Sequence, residues 1–139
     1  MTDNTETPRG IRNNNPGNIR YNSATQWVGQ VGHDADGFVK FHIPEDGIRA
    51  IAVLLRHYHV YHHCDTLADY IARWAPPSEN DTSAYIRYMS EHLLVHPDVA
   101  LNLSPELPGM IKGIVIYENG ELPYDMDTIM RAIARARIQ

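Results

Sequence analysis

The chain is short of cysteine, of positive charge and of long apolar runs. Cys64 is the one cysteine in 139 residues, which excludes an intramolecular disulfide framework and a cysteine-based zinc cage. Twelve Lys and Arg stand against seventeen Asp and Glu, a net charge of −5 with neutral histidine. A general nucleic-acid binder needs a positive face to neutralise phosphates, and that class is excluded. The longest apolar run, Ile48 to Leu55, is interrupted by Arg49, far short of the roughly 20 residues a membrane helix needs. The segment Met1 to Arg9 is polar, so no secretory signal is expected. There is no repeat and no low-complexity tract. What remains is ordinary globular composition, 43% hydrophobic and 21% charged, with length for one domain. The expected division is a loose tail over residues 1–9 and a single domain over 10–139.

Arg12 to Arg20 reads RNNNPGNIR, a loop by chemistry. Its asparagines and its Pro-Gly-Asn supply turn positions. Asparagine amides also both donate and accept, which suits a hydroxylated or amide-bearing ligand; the alternative is a rigid turn capped by its own side chains. Trp27 to Gly32 and Phe38 to Ile43 flank the turn-rich HDADG and predict a small hairpin. Helical signals dominate thereafter. Pro44-Glu45-Asp46 opens a helix with Ile48, Ile51, Ala52, Leu55 and Tyr58 at 3–4 spacing. Asp65 caps a second helix with Leu67, Tyr70, Ile71 and Trp74 on one face, stopped at Pro76-Pro77. Ser78 or Asp81 caps a third. Ser104-Pro105-Glu106 opens a fourth, weakened by Pro108-Gly109, which runs to Glu118 and stops at Gly120. Asp125 or Asp127 opens a last helix rich in arginine at its end. The expected class is mainly α, an α+β arrangement in which a helical body carries a small hairpin.

Three groups of residues carry candidate chemistry. His57, His59, His62 and His63 crowd beside Cys64, and His59 and His63 share a helical face as a metal pair would. No third ligand sits at a suitable spacing, and solvated helix-end histidines account for the pattern. Glu118 ends an apolar helix. The negative end of the helix dipole and partial burial beside Ile114, Val115 and Tyr117 both favour the protonated carboxyl there, the form that protonates a glycosidic oxygen. An exposed Glu before a capping glycine is the plainer reading. Trp74 to Ile86 is a capped helix start or the aromatic-rimmed wall of a sugar cleft, in which rings stack on pyranoses and Glu, Asn and Thr bind hydroxyls.

Taken jointly, these segments resemble the lysozyme-like superfamily and, within it, the soluble lytic transglycosylases. They are also similar to small phage virion and lysis-associated proteins with an RNNNPGNIR start. Ile111 to Gly120, IKGIVIYENG, is similar to the family's glutamate helix, with Asn119 where the family has Ser. Pro16 to Arg20 stands in place of the Gly-Leu-Met-Gln turn. Glu45 to Tyr58, EDGIRAIAVLLRHY, resembles the NIxxGxxYL helix. Leu67 to Trp74 is similar to the Ala-Tyr-Asn-Ala-Gly segment, with Tyr70 in the tyrosine place and Ile71 and Arg73 interrupting it. Glu79 to Ile86, ENDTSAYI, is similar to the Glu-Thr-x-x-Tyr-Val stretch. The glutamate helix comes last here and first in the family, and circular permutation accounts for the order. Such cuts are tolerated at surface loops because domain termini lie close together.

The resemblance implies a circularly permuted lysozyme-like domain that cleaves the β-1,4 bond between N-acetylmuramic acid and N-acetylglucosamine. Glu118 is its acid, and Asn15, Asn18, Arg20, Tyr70, Glu79, Tyr85 and Tyr124 are the expected cleft residues. A lytic transglycosylase closes a 1,6-anhydro ring with one carboxyl; a hydrolytic muramidase usually needs a second, for which Asp125 and Asp127 are candidates. No metal or organic cofactor is implied. The expected partner is the peptidoglycan glycan strand, and a virion or secretion-machine component or an immunity protein would fit as well. No nucleic acid and no membrane insertion is expected. The place of action is the bacterial periplasm or cell wall, reached through a virion, a holin-type pore or a secretion system. Two alternatives stand beside this reading: a non-catalytic virion or cell-wall-binding protein, and a cytosolic helical interaction domain.

Overall fold

The computed structural model describes residues 7–137. Residues 1–6 of the expected tail and residues 138–139 lie outside the described residues. Among the described residues the chain forms six helices and one two-stranded antiparallel sheet: α1 (Arg9–Arg12), β1 (Gln30–His33), β2 (Val39–Phe41), α2 (Pro44–His62), α3 (Leu67–Trp74), α4 (Thr82–Leu93), α5 (Leu103–Asn119) and α6 (Met126–Ala136). The architecture is mainly helical. No helix among the described residues is long and apolar enough to cross a membrane.

Most boundaries follow local chemistry. Pro44 opens α2 with Glu45 and Asp46 in its first turn, where proline loses no helical hydrogen bond and carboxylates meet the positive dipole end. The helix runs on past Tyr58 to His62 and closes with His63 in the left-handed conformation. The cap of α3 is Thr66, not the expected Asp65. Thr66 Oγ1 accepts from the Asp69 amide and Asp69 returns a bond to the Thr66 amide, a reciprocal pairing Asp65 does not make. Asp81 caps α4 and Asp125 caps α6. Helix α5 starts earlier than expected, with Asn102 rather than Ser104 at its cap. Pro105 sits in the first turn, where no amide partner is needed, and Pro108 leaves only the carbonyl of exposed Ser104 to solvent. Its end is as expected: Gly120, at φ +77°, terminates it.

Helix α1 has no counterpart in the sequence reading, which placed Arg12 in a loop. Four residues do not sustain a helix alone. Tertiary contacts hold this one: Arg9 pairs with Asp34 and Asp36 and lies over the Phe38 ring. The hairpin is shorter than expected, with a register irregularity between Gln30 and Gly32.

The core gathers Ile48, Ile51 and Leu55 from α2, Met110, Ile111, Ile114 and Val115 from α5, and Ile129 and Ile133 from α6, all nearly or fully buried. Helix α6 packs on α2, and α4 packs on both α3 and α5. Two glycines set the approaches that matter for the site. A Cβ on Gly113 would meet the Met89 side chain, and the bare backbone lets α4 lie close to α5. A Cβ on Gly47 would overlap the Asn14 carbonyl, so the asparagine-rich turn rests directly on the first turns of α2.

Candidate functional site

A cleft of about 350 Å³ is built from five parts of the chain. The turn contributes Gly17, Asn18, Ile19 and Arg20, and α2 contributes Leu54 and Tyr58. The end of α3 and the connection to α4 contribute Trp74, Ala75, Pro76, Glu79 and Asn80. Phe38 and Glu118 complete it.

Glu118 reaches the cleft because it lies in the last turn of α5, half-buried, next to a residue that anchors the helix end. Asn119 Nδ2 donates to the Pro16 carbonyl at 2.8 Å and to the Val115 carbonyl at 2.9 Å. The asparagine turn and the end of α5 are thereby joined across 103 residues of sequence. Within the turn, Asn15 is fully buried and splints the backbone. Its Oδ1 accepts from the Ile19 amide, and its Nδ2 donates to the Ile19 and Val39 carbonyls. Asn18 takes a left-handed conformation, φ +49°, that asparagine tolerates.

Two neutral groups hold the carboxyl. Asn18 Nδ2 donates to Glu118 Oε1 at 3.0 Å, and the Tyr85 hydroxyl donates to Oε2 at 2.9 Å. Trp74 Nε1 in turn donates to the Tyr85 oxygen at 3.2 Å. An indole N–H only donates, so the single Tyr85 proton is left to point at Glu118. The Tyr85 ring is buried and stacks on Tyr117 at 3.8 Å between centroids. Burial, and then the neighbouring Glu118 charge, push the Tyr85 phenol far up, so it remains a protonated donor at neutral pH.

The structure brings Asn18, Arg20, Glu79, Tyr85 and Glu118 together and leaves three expected residues elsewhere. Asn15 is structural, as above. Tyr70 is fully buried on α3, and its hydroxyl meets His59 Nδ1 at 3.1 Å at the far end of α2; burial pushes its phenol up to about 12. The α3 stripe that places Leu67 and Ile71 in the core also takes in Tyr70. Tyr124 lies beside Pro44, Asp125 and Arg131 in a separate depression. Its buried hydroxyl has no protein partner among the described residues, and burial pushes the group up to about 12.

Asp125 is spent on the α6 cap, where the Thr128 contacts lower it, and neither it nor Asp127 lines the cleft. The residues missed from sequence are Phe38, Leu54 and Tyr58, whereas Asn80 belongs to the Trp74–Ile86 wall expected from sequence. Alternation along β2 and the 3–4 pattern of α2 mark the missed three only as apolar or loop positions. The histidines gather at the end of α2, where His57 meets Tyr61 and His62 and His59 meets the Cys64 carbonyl. Among the described residues no group of three His, Cys, Asp or Glu is placed to hold a metal ion.

Fold and site together define a mainly helical protein with one principal cleft and a carboxyl held there by neutral donors. No protein-family model matches the chain. It is 40% identical over 129 residues to Protein P5 of Pseudoalteromonas phage PM2, an alignment that takes in 91% of this chain and 80% of that protein. The chain belongs to the family of that phage protein.

Proposed function

We propose that this chain is a peptidoglycan-cleaving enzyme of permuted lysozyme-like fold that acts as a lytic transglycosylase on the muramic acid–glucosamine bond. The observation that carries the reading is the Glu118 carboxyl, presented at a helix end into a cleft and gripped by Asn18 and Tyr85. Glu118 gives its proton to the glycosidic oxygen as the bond to the anomeric carbon breaks. The carboxylate left behind takes the proton of the C6 hydroxyl, whose oxygen closes onto the anomeric carbon, so that one group serves both steps. Asn18 and Tyr85 donate to the charge that develops on the carboxylate between the steps. Glu79, the other carboxylate of the cleft, is engaged by Arg20 at 3.4 Å, which favours a one-carboxyl mechanism over hydrolysis with a second base.

The test is digestion of purified sacculi. The native chain is expected to release anhydro-muropeptides and the Glu118→Gln variant none; hydrated products would reassign the chain as a muramidase. The phage relative favours a second reading, a virion protein that binds cell wall without cutting it. Sedimentation with sacculi and no soluble product would establish that one.

A further inference from the structure

Among the described residues Arg20 is the one Lys or Arg side chain lining the cleft, and its surroundings define how it is presented. Its guanidinium lies over the Phe38 ring at 4.6 Å, a cation–π contact that favours this placement of the group. Phe38 is itself held, since Arg20 and Phe38 form an isolated antiparallel bridge and Arg9 lies over the same ring. Glu79 approaches from the Nε side, at 3.4 Å, and both partners are open to solvent, with side chains 62% and 55% exposed. Among the described residues no protein acceptor binds the two Nη groups. A guanidinium seated on an aromatic ring with its Nη edge open matches the two oxygens of a carboxylate.

We infer that Arg20 is a specificity-determining residue that receives a carboxylate carried by the glycan, so that the cleft selects muramoyl strands over uncharged chitin. This inference rests on the glycan-cleaving reading above. The carboxylate has two sources, the lactyl arm of a strand without peptides or the stem peptide of an intact strand, and Arg20 chemistry is the same for both. Glu79 works against it: its charge sits beside the incoming anion, so it tunes affinity downward and makes binding sensitive to salt.

The experiment is calorimetric binding to Glu118→Gln protein, which removes turnover. Three tetrasaccharide probes are compared at low and high salt: chitotetraose, a muramoyl tetrasaccharide with free lactyl groups, and the same sugar bearing stem peptides. The expected result is that at least one muramoyl probe binds about ten-fold more tightly than chitotetraose, as a charge-assisted bidentate contact warrants, and loses that advantage at high salt. Adding Arg20→Gln is expected to abolish the advantage of the muramoyl probe over chitotetraose. Arg20→Lys keeps the charge without the fork and should retain part of it, and Glu79→Gln should enlarge it. Whichever muramoyl probe binds more tightly identifies the source of the carboxylate. Equal affinity for all three probes, or an advantage that survives Arg20→Gln in a protein of unchanged circular dichroism, overturns the inference alone. Failure of every probe to bind overturns the glycan reading and this inference with it.

Discussion

Two glutamates at helix ends show how differently one chain uses the same side chain. Glu45, at the start of α2, is clamped by charge: Arg131 Nε approaches Oε1 at 3.0 Å and Arg135 Nη1 approaches Oε2 at 2.8 Å. Arg135 also reaches Asp46 at 2.9 Å. These arginines hold the Glu45 carboxyl below its usual range against the opposing effect of burial, and the result is a brace between α2 and α6. Glu118, at the end of α5, has an amide and a phenol as its partners and a cleft in front of it. A carboxylate locked by two guanidinium groups is suited to joining helices. One held by neutral donors keeps its position with no counter-charge bound to it and faces the cleft.

The largest expected effect comes from removing the Glu118 carboxyl. Glu118→Gln should lower muropeptide release by about 10³-fold, in the range of general acid–base contributions, with the unfolding midpoint nearly unchanged. Next is Tyr85→Phe, which deletes one donor to Glu118 and strands the Trp74 N–H. About a ten-fold loss of kcat is expected from a hydrogen bond to a charged group, with little change in KM. Asn119→Ala tests whether the helix end and the asparagine turn are truly coupled. Losing both amide bonds from a buried site should cost about 2 kcal/mol in urea unfolding and reduce activity as well.

The smallest effect is expected on the other side of the comparison. Glu45→Gln should cost about 1 kcal/mol, less at high salt. Because Glu45 is held low in the folded chain, its stabilising contribution is present above the unfolded carboxyl value and is lost as pH falls through the lower folded value. The variant should therefore lose less stability than the native chain below about pH 4. If Glu45→Gln instead abolished muropeptide release while the fold persisted, the division of labour between the two glutamates would be wrong.

Much of the fold was legible because its signals are local. Gly120 ended α5 and Pro44 opened α2 as their chemistry predicts, and Asp81 and Asp125 were among the expected caps. What escaped depends on the rest of the molecule. Helix α1 exists because Asp34, Asp36 and Phe38 hold Arg9. Thr66 displaced Asp65 as a cap because Asp69 reciprocates.

The cleft divides in the same way. Glu118 and Asn18 stood out as a polar group at a helix end and a turn residue, and both face the ligand space. Tyr70 and Tyr85 looked equivalent, each a tyrosine on an apolar helical stripe. Periodicity shows that a face is buried but not which neighbour buries it. The α4–α5 approach at Gly113 turned one tyrosine toward Glu118, while the other ended beside His59. Phe38 was hidden for the opposite reason. It reads as a hairpin residue, and its place under two guanidinium groups depends on Arg9 and Arg20 arriving from elsewhere in the chain.

The Asn119–Pro16 bond joins residues 103 apart, and this has a consequence for the order in which the molecule is made. Once the ribosome has produced α4, the turn, Arg20 and Trp74 already exist, yet Glu118 has not been synthesised. Long loops close late and slowly, so docking of α5 falls among the final folding events. A chain terminated before α5 would carry most residues of the cleft walls without Glu118, and the complete cleft exists only after synthesis has passed residue 119.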